Sequence, residues 1–176
     1  HLEGLKSLDN IVEEKASICS GQTQKGLAII PSGIEKFSQL EAKVRNLGSN
    51  VISFGDDESS DVRISTIEVL ENAITAKIID QKQKSWNIKL KTAGKHYMKN
   101  ATALLTLVSS LNLDLSKAIL ALQSWSPLAG RGQVLEVKLK ASNCNKIIHL
   151  IDESYNANPS SVRSSLETLA CIFTNK

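Results

Sequence analysis

The chain has 176 residues, with 41 % apolar and 22 % charged side chains, which is the balance of a globular protein rather than a disordered one. Its net charge of +3 is small, and only two Trp, two Tyr and three Phe are available for stacking on bases, which argues against a nucleic-acid-binding protein. No apolar run reaches the roughly 18 residues that span a membrane and no secretion signal is visible, so we expect no membrane insertion. Cys19, Cys144 and Cys171 are far apart and form no Cys-x-x-Cys pair, which predicts reduced thiols in a cytoplasmic protein.

The first part of the chain predicts an α/β fold with a parallel sheet. Residues 1–20 have apolar side chains near helical spacing and predict a helix. The short apolar runs Gly26–Ile30 and Val51–Phe54 predict strands buried on both faces, and residues 34–47 between them predict a helix that ends at Gly48. A strand, a helix and a strand of these lengths form a βαβ unit, which implies a right-handed crossover and a sheet covered by helices.

The middle of the chain predicts three short strands and two helices. After an acidic, serine-rich loop, polar turns separate the predicted strands, which are Val62–Ile67, Ala73–Ile79 and Ser85–Leu90. The almost wholly apolar segment Asn100–Leu111 predicts a buried helix, and Leu115–Trp125 predicts an amphipathic one.

A domain boundary is predicted at Ser126–Gly130, a linker-like segment that separates two different patterns. We therefore divide the chain into residues 1–128 and the start of a second domain at 129–176. Beyond the boundary, two strands are predicted at Val134–Lys140 and Lys146–Ile151, followed by a helix that Asn158 and Pro159 begin. The side chains expected to face a core are Leu135, Val137 and Leu139 on the first strand and Val162, Leu166, Leu169 and Phe173 on the helix. A hairpin and one helix are too little to bury a self-sufficient core.

Two stretches carry residue types that suit a metal ion and a purine. His1 is followed by Glu3, and Lys15 lies in the next predicted helix; an imidazole beside a carboxylate can bind a metal, although such a pair more often lies on the surface. His96 precedes Asn100 at the beginning of a predicted helix. An imidazole plane and an amide there suit a purine base, whereas the alternative is that Asn100 only caps the helix.

Two further stretches suit phosphate and sugar groups. Gly130 and Gly132 flank Arg131 and leave the backbone open around a guanidinium, which is a fork-shaped donor for phosphate; the alternative is a turn with a surface arginine. The segment Asp152–Pro159 follows a strand end, where open α/β sheets hold their ligands, and it is too rich in polar side chains for a routine loop.

These stretches resemble the motifs of the Mur ligases, in particular the type that adds D-alanyl-D-alanine to UDP-N-acetylmuramoyl-tripeptide. Asp-Glu-Ser-Tyr-Asn-Ala-Asn-Pro at 152–159 is similar to the signature at the start of that type's third domain. His-Leu-Glu-Gly at 1–4, the segment 94–100 and Gly130–Arg131 fall in the family's order. The resemblance implies that 1–128 is the C-terminal part of the central ATP-binding domain, with a mostly parallel sheet flanked by helices. It also implies that 129–176 begins a Rossmann-like α/β domain.

The resemblance implies ATP and Mg²⁺ as cofactors. His1 would bind magnesium, and Lys15 would be the lysine that the family carbamylates, which turns a cation into an oxygen ligand of the kind magnesium prefers. Tyr155 and Asn156 would lie where the acyl phosphate meets the incoming dipeptide. Lys15, Arg131, Tyr155 and Asn156 thus form the implied catalytic set, while Asn156 and Asn158 would contact substrate.

In the implied nucleotide site, His96 and Asn100 would hold adenine, Arg131 would contact the phosphates and Glu153 would hold the ribose hydroxyls. The sequence departs from the family pattern at several points. Tyr97 stands where the family has Asn, and Glu153 stands where it usually has Asp. Pro31-Ser32-Gly33 replaces an Asn-x-Asp sequence, and no Gly-x-x-x-x-Gly-Lys-Ser/Thr phosphate loop occurs in the 176 residues.

The resemblance implies a cytoplasmic monomer whose partners are UDP-N-acetylmuramoyl-tripeptide and D-alanyl-D-alanine, joined through an acyl phosphate. Because the phosphate loop is missing, we expect the 176-residue chain alone to be inactive. Two alternatives stay open: a non-catalytic remnant, and another ligase of the superfamily such as a folylpolyglutamate synthase. The Tyr-Asn-Ala-Asn-Pro string at 155–159 argues against the second.

Overall fold

A computed structural model of the chain describes residues 2–22, 26–70, 73–141 and 144–174. The helices are α1 (Leu2–Leu5), α2 (Leu8–Ser17), α3 (Phe37–Asn46), α4 (Lys95–Ser110), α5 (Leu115–Ser124) and α6 (Pro159–Thr174), with a 3₁₀ turn at Ile18–Gly21. The strands are β1 (Leu27–Pro31), β2 (Asn50–Gly55), β3 (Val62–Leu70), β4 (Ala73–Asp80), β5 (Ser85–Leu90), β6 (Gln133–Ala141) and β7 (Cys144–Asp152). No helix in the described ranges has the length and apolar character needed to cross a bilayer.

The first five strands form one sheet in the order β1-β2-β3-β4-β5. β1 pairs with β2 and β2 with β3 in parallel, while β4 runs antiparallel to both of its neighbours. Four of the five strands therefore point the same way, and the predicted mostly parallel sheet is confirmed, with one antiparallel strand inserted. The predicted βαβ unit is β1-α3-β2, whose strands pair from Leu27 with Asn50 to Pro31 with Phe54.

Both faces of this sheet are covered, as the apolar runs predict. Alternate residues on β1 face opposite ways: Ile29 packs against the larger core cluster, and Ile30 belongs to the smaller one. The smaller cluster joins β1 and β2 to α2 and α3, with Leu40 and Val44 of α3 buried. The larger cluster joins β2 to β5 with α4 and α5, and it contains the side chains with the lowest exposure, such as Ile74. Two layers of helices thus hold the sheet, and the carboxyl ends of β1 and β2 lie at one edge.

Helix α4 differs from its prediction in extent and in burial. It begins at Lys95, five residues before Asn100, because Gly94 in an extended conformation supplies its N-terminal boundary. Only one face is buried, whereas the whole segment was expected to be: Leu105 is fully buried, but Leu104 is 44 % exposed. The buried hydroxyls on this face are satisfied, since Thr102 donates to the Met98 carbonyl at 2.8 Å.

The chain after α5 forms a separate two-stranded antiparallel sheet, β6-β7, followed by α6. The predicted inward faces are wrong here. Leu135 and Leu139 of β6 are exposed, as are Val162, Leu166 and Leu169 of α6, because no second layer covers them within the described residues. Val137 is half-buried. Phe173, the last residue of the predicted stripe, lies outside the side chains that the structure describes.

The face of α6 that does pack is polar. Its half-buried positions recur at helical spacing and are Ser161, Ser164, Ser165, Thr168 and Cys171. This face contacts α4 and the end of β7. Small hydroxyl side chains therefore lie between the two parts of the chain, at the place where the candidate site is found.

Candidate functional site

The linker between the two sheets is tied to the end of β7 by backbone hydrogen bonds. Gly130 and Gly132 have φ of +75° and +83°, in the left-handed region that glycine adopts without a Cβ penalty. The Gly130 N–H donates to a carboxylate oxygen of Asp152 at 3.0 Å, and the Gly132 N–H donates to the Asp152 carbonyl at 2.8 Å. The Tyr155 N–H returns a bond to the Gly130 carbonyl at 3.0 Å. The two glycines therefore serve to lock the linker onto the strand end.

Asp152 is the residue that the sequence motif contained but to which no role was assigned. Hydrogen bonds from Ser154 hold the pKa of Asp152 below its ordinary value of 3.8, with a smaller contribution from the Gly130 N–H. A carboxylate that accepts these bonds stays ionised and orders the loop in front of Glu153 and Tyr155. The sequence feature that could have indicated this role is the position of Asp152 at the start of Asp-Glu-Ser-Tyr, directly after a predicted strand.

Arg131 projects from the locked linker toward Tyr155. Its guanidinium carbon lies 3.8 Å from the centre of the Tyr155 ring, which is a cation–π contact. The Tyr155 side chain is 66 % exposed, so the guanidinium is held at the surface. The backbone carbonyl of Arg131 points the other way and accepts a hydrogen bond from the Tyr97 phenol of α4.

Glu153 faces the interior side of the linker. One of its carboxylate oxygens accepts a hydrogen bond from the Ser165 hydroxyl of α6 at 2.8 Å. A Cβ on Gly132 would lie only 3.1 Å from the same oxygen, so a side chain at this position would require the carboxylate to shift. The carboxylate is half-buried and retains lone pairs for a ligand.

Helix α4 contributes an imidazole and a phenol. Nδ1 of His96 lies 3.2 Å from the Ser164 hydroxyl of α6. Burial lowers the pKa of His96 below its ordinary value of 6.5, and the Glu153 charge opposes that shift. The His96 and Tyr97 rings are 4.0 Å apart and tilted by 43°, and Tyr97 is 5.0 Å from Trp125 on the other side. Burial also raises the pKa of Tyr97, so both groups are held in their neutral forms.

Two cavities of similar size lie on either side of Tyr97. The first, of about 390 Å³, is lined by His96, Tyr97, Gly132, Glu153, Ser165 and neighbouring backbone. The second, of about 400 Å³, is lined by Tyr97, Asn100, Trp125, Arg131 and leucines such as Leu122. The predicted nucleotide residues His96, Asn100, Arg131 and Glu153 are thus gathered at one seam between the two parts of the chain. His96 and Asn100, however, line different cavities.

The remaining predicted residues of the Asp152–Pro159 loop lie at the surface. Asn156 is exposed. Asn158 caps α6 as predicted, since its side-chain oxygen accepts from the Ser161 N–H at 2.9 Å. Capping satisfies the helix end, and the Asn158 side chain is exposed.

Of the two predicted metal ligands, only Lys15 lies in the described part of the chain, and it does not line either cavity of the seam. His1 lies outside the described residues, and Lys15 is an exposed residue in the last turn of α2. Among residues 2–22, 26–70, 73–141 and 144–174, no three His, Cys, Asp or Glu side chains come together in the way a protein metal site requires. The Lys15 and His1 assignments stay predictions.

A second polar cluster lies at the carboxyl ends of β1 and β2. The Ser32 hydroxyl donates to the Phe54 carbonyl at 3.1 Å and lies 2.7 Å from the Ser60 hydroxyl. Asp56 forms an ion pair of 3.0 Å with Lys99 of α4, and the hydrogen bond from Lys99 lowers the pKa of Asp56. Sequence spacing does not predict this pair, because its two residues are 43 positions apart in the chain.

Comparison with known proteins decides the family. The profile described as "Mur ligase middle domain" matches residues 1–108, well over half of the chain. The chain belongs to the Mur ligase family. The family match ends in the last turn of α4, and the similarity to individual relatives continues through the linker and α6.

Individual relatives point to one type of Mur ligase. The chain is 28 % identical over 173 residues to the UDP-N-acetylmuramoyl-tripeptide–D-alanyl-D-alanine ligase of Escherichia coli and 24 % identical over 170 residues to that of Rickettsia prowazekii. These matches cover 97 % and 96 % of this chain, and 36 % of each relative. The crystal structure of MurF from Acinetobacter baumannii is similar with a TM-score of 0.81 and 26 % identity, over 97 % of this chain and 35 % of that one.

Another similarity bears on the fold alone. MurF from Thermotoga maritima, solved in complex with ADP, has a TM-score of 0.74 at 22 % identity, covering 96 % of this chain and 36 % of that one. The Mur ligase chain described here thus spans about a third of the length of the relatives it matches. The predicted α/β fold is confirmed by these structures together with the sheet order.

Proposed function

We propose that this Mur ligase chain forms the nucleotide-facing seam of an ATP-dependent ligase that joins D-alanyl-D-alanine to UDP-N-acetylmuramoyl-tripeptide. The observation that carries the proposal is the assembly of His96, Arg131 and Glu153, from three separated segments, around one seam. The names of the relatives support the same reaction. A seam between two domains is a common place for a ligand that both must hold.

The side chains at the seam suit the sugar and base of a nucleotide. The Glu153 carboxylate would accept hydrogen bonds from ribose hydroxyls in the first cavity. His96, neutral because burial lowers its pKa, offers a flat face to a base rather than a second cation. Asn100, in the second cavity, could bond a base edge from that side of Tyr97.

Arg131 suits the developing charge of the reaction. Its guanidinium rests on an exposed ring and not in a carboxylate pair, so it can exchange the Tyr155 face for phosphate oxygens at small cost. In the proposed reaction the precursor carboxylate attacks the γ-phosphate of ATP, which gives an acyl phosphate and releases ADP. The amine of the dipeptide attacks that carbonyl and phosphate leaves, giving an amide. Tyr155 and Asn156, with Asn158 for substrate, are proposed to lie on the side from which the dipeptide arrives.

Magnesium would be held by His1 and by Lys15 after carbamylation, together with phosphate oxygens. A hard divalent cation takes oxygen ligands, which a free ammonium group cannot supply and a carbamate can. The exposed position of Lys15 leaves its amine accessible for that modification. The cytoplasmic location and monomeric state belong to the same proposal.

A ligation assay tests the proposal directly. The full-length protein that contains this chain is supplied with ATP, Mg²⁺ and UDP-N-acetylmuramoyl-tripeptide, and phosphate release is compared for D-alanyl-D-alanine, D-alanine and glutamate. We expect release only with the dipeptide. Phosphate release that requires a folate and glutamate in place of these substrates would instead support a folylpolyglutamate synthase, and no release with any substrate pair would support a non-catalytic protein.

The non-catalytic alternative has one structural observation in its favour. At the position where the resemblance implies an Asn-x-Asp sequence, this chain has Ser32, whose hydroxyl already forms internal hydrogen bonds. This loop therefore has fewer polar groups available to bind a ligand than an Asn-x-Asp loop would have. We also expect the 176-residue chain alone not to hydrolyse ATP, because its sequence contains no phosphate loop. Phosphate release by the purified chain would contradict that expectation.

A further inference from the structure

The Tyr97 phenol connects the two parts of the chain. It extends from α4, donates to the carbonyl of Arg131 in the linker, and lies 3.5 Å from the position a Cβ would take on Gly132. The ring also contacts the rings of His96 and Trp125, with centroids 4.0 Å and 5.0 Å away. The ring therefore has packing contacts of its own besides the hydrogen bond from its hydroxyl.

This contact completes a ring of interactions around the first cavity. Tyr97 of α4 bonds Arg131, the adjacent Gly132 lies against Glu153, and Glu153 accepts from Ser165 of α6. The ring closes where Ser164 of α6 meets His96 of α4. If the Tyr97 link were removed, the linker would lose its direct hydrogen bond to α4 and would reach that helix through Glu153 and α6.

The length of the side chain is what makes the link. A shorter side chain such as Asn, which the family resemblance implies at this position, would end near the Tyr97 ring carbons and could not reach the Arg131 carbonyl. Tyr97 therefore forms a bond to the linker that an Asn there would not form. Arg131, whose carbonyl accepts this bond, also carries the guanidinium that lies over the Tyr155 ring.

We propose that Tyr97 is a positioning residue that latches the linker to α4, and so fixes Arg131 and Glu153 relative to His96. The hydrogen bond between Tyr97 and the linker does not depend on the proposed reaction. Its effect on nucleotide binding at the seam rests on the proposed function.

The test uses the 176-residue chain and its only two tyrosines. Tyr97→Phe keeps the ring and its contacts with His96 and Trp125 but removes the donor, and Tyr155→Phe is the matched control that keeps the ring under Arg131. The carbonyl ¹³C shift of Arg131, read through the Gly132 amide, should move upfield in Tyr97→Phe and stay unchanged in Tyr155→Phe. A packing role of the ring alone would not move it.

Trypsin gives a second readout because the latched carbonyl belongs to the peptide bond after Arg131. Cleavage there should be several-fold faster in Tyr97→Phe, while cleavage after Lys117, whose side chain is 84 % exposed, should not change. In the unsubstituted chain, a slowly exchanging Tyr97 hydroxyl proton with a nuclear Overhauser contact to Gly132 would support the latch without any variant. An unchanged carbonyl shift together with unchanged cleavage, or the absence of the contact in the unsubstituted chain, would overturn it.

Adenosine separates this inference from the proposed function. The unsubstituted chain should bind adenosine weakly, and Tyr97→Phe should bind it several-fold more weakly still. If the unsubstituted chain binds no adenosine, that result counts against the nucleotide site, and the carbonyl shift alone decides whether the latch exists. Equal adenosine affinity with a changed shift would retain the latch but overturn its role in positioning.

Discussion

The Ser165 hydroxyl donates to a carboxylate oxygen of Glu153 at 2.8 Å, and this bond joins the second turn of α6 to the end of β7. The same hydroxyl also donates toward the Ser161 carbonyl of its own helix at 3.0 Å. Ser165 therefore orients the Glu153 carboxylate, and the spacing of the two residues in the sequence does not predict this contact. The orientation of a carboxylate matters here because its proposed partners are two hydroxyls of one ribose.

Removing that hydroxyl should loosen Glu153. We expect Ser165→Ala to lower the free energy of unfolding by about 1 kcal/mol, the typical net value of one hydrogen bond, and to weaken adenosine binding. Ser124→Ala is the control, since its hydroxyl bonds only the Ala121 carbonyl on an exposed helix end. Urea unfolding followed by circular dichroism measures both. Equal losses in the two variants would show that the Glu153 contact contributes nothing specific.

The linker glycines should tolerate no side chain. We expect Gly132→Ala to destabilise the chain by roughly 1–2 kcal/mol, because φ is +83° and the new Cβ would meet Glu153 at 3.1 Å. Gly21→Ala is the matched control, because nothing lies within 4 Å of its Cβ position. Thermal unfolding of both variants checks this. A Gly132→Ala variant as stable as Gly21→Ala would mean that the linker adopts another conformation in solution.

Much of the larger sheet could be predicted from the sequence, because buried parallel strands and covering helices leave strong local patterns. The strands β1 and β2 and the helix between them follow from apolar runs and from the turn at Gly48. The start of α4 was missed because the backbone at Gly94, not a capping side chain, sets it. Helix α6 was assigned the wrong buried face, because an apolar stripe reports only what a helix could bury and not which layers are present to cover it.

The residues of the candidate site that belong to one short motif could be predicted from the sequence. The contacts between residues of distant segments could not. Arg131 and Glu153 belong to short polar strings that stand out from routine loops. The Tyr97 bond to the linker and the Ser165 bond to Glu153 depend on how α4 and α6 pack, which no spacing in the sequence encodes. Tyr97 was registered only as a departure from the family pattern, whereas the structure gives it a contact of its own.

Neighbouring leucines on α4 should differ sharply in their contribution to stability. Leu105→Ala should cost about 2–5 kcal/mol, since Leu105 is fully buried in the larger core cluster and truncation leaves a cavity. Leu104→Ala should cost about 1 kcal/mol or less, because its side chain borders the second cavity and already contacts solvent. The denaturant midpoints of the two variants distinguish a helix that is buried on one face from the wholly buried helix that its composition predicts. Similar losses for the two variants would favour the latter.

The chain should lose stability in two steps as the solution is acidified. Burial lowers the pKa of His96 in the folded state, so the unfolded chain binds the proton more tightly and stability falls as pH drops below the ordinary value of 6.5. Asp56 and Asp152 also have lowered pKa values, and the stability they provide is present above 3.8 and is lost as pH falls through their folded-state values. Urea midpoints measured across pH should show both steps.

A histidine variant assigns the first of these steps. His96→Gln should abolish the decline that begins near 6.5. The lower step should persist in this variant because it belongs to carboxylates. A decline that survives in His96→Gln would show that another group is responsible.

Replacing Arg131 by lysine should leave the stability of the fold nearly unchanged but should slow the ligation reaction. Lysine keeps the charge yet lacks the planar fork that binds two phosphate oxygens at once and stacks on the Tyr155 ring. In the full-length ligase we therefore expect Arg131→Lys to lower kcat by about 10²-fold, the effect of removing one preorganised donor to developing charge, with little change in the melting temperature. Arg163→Lys on the exposed surface of α6 is the matched control and should retain its rate. If both variants ligate at the rate of the unsubstituted enzyme, the guanidinium on Tyr155 has no part in the chemistry, and the seam holds its ligand by Glu153 and the rings of α4 alone.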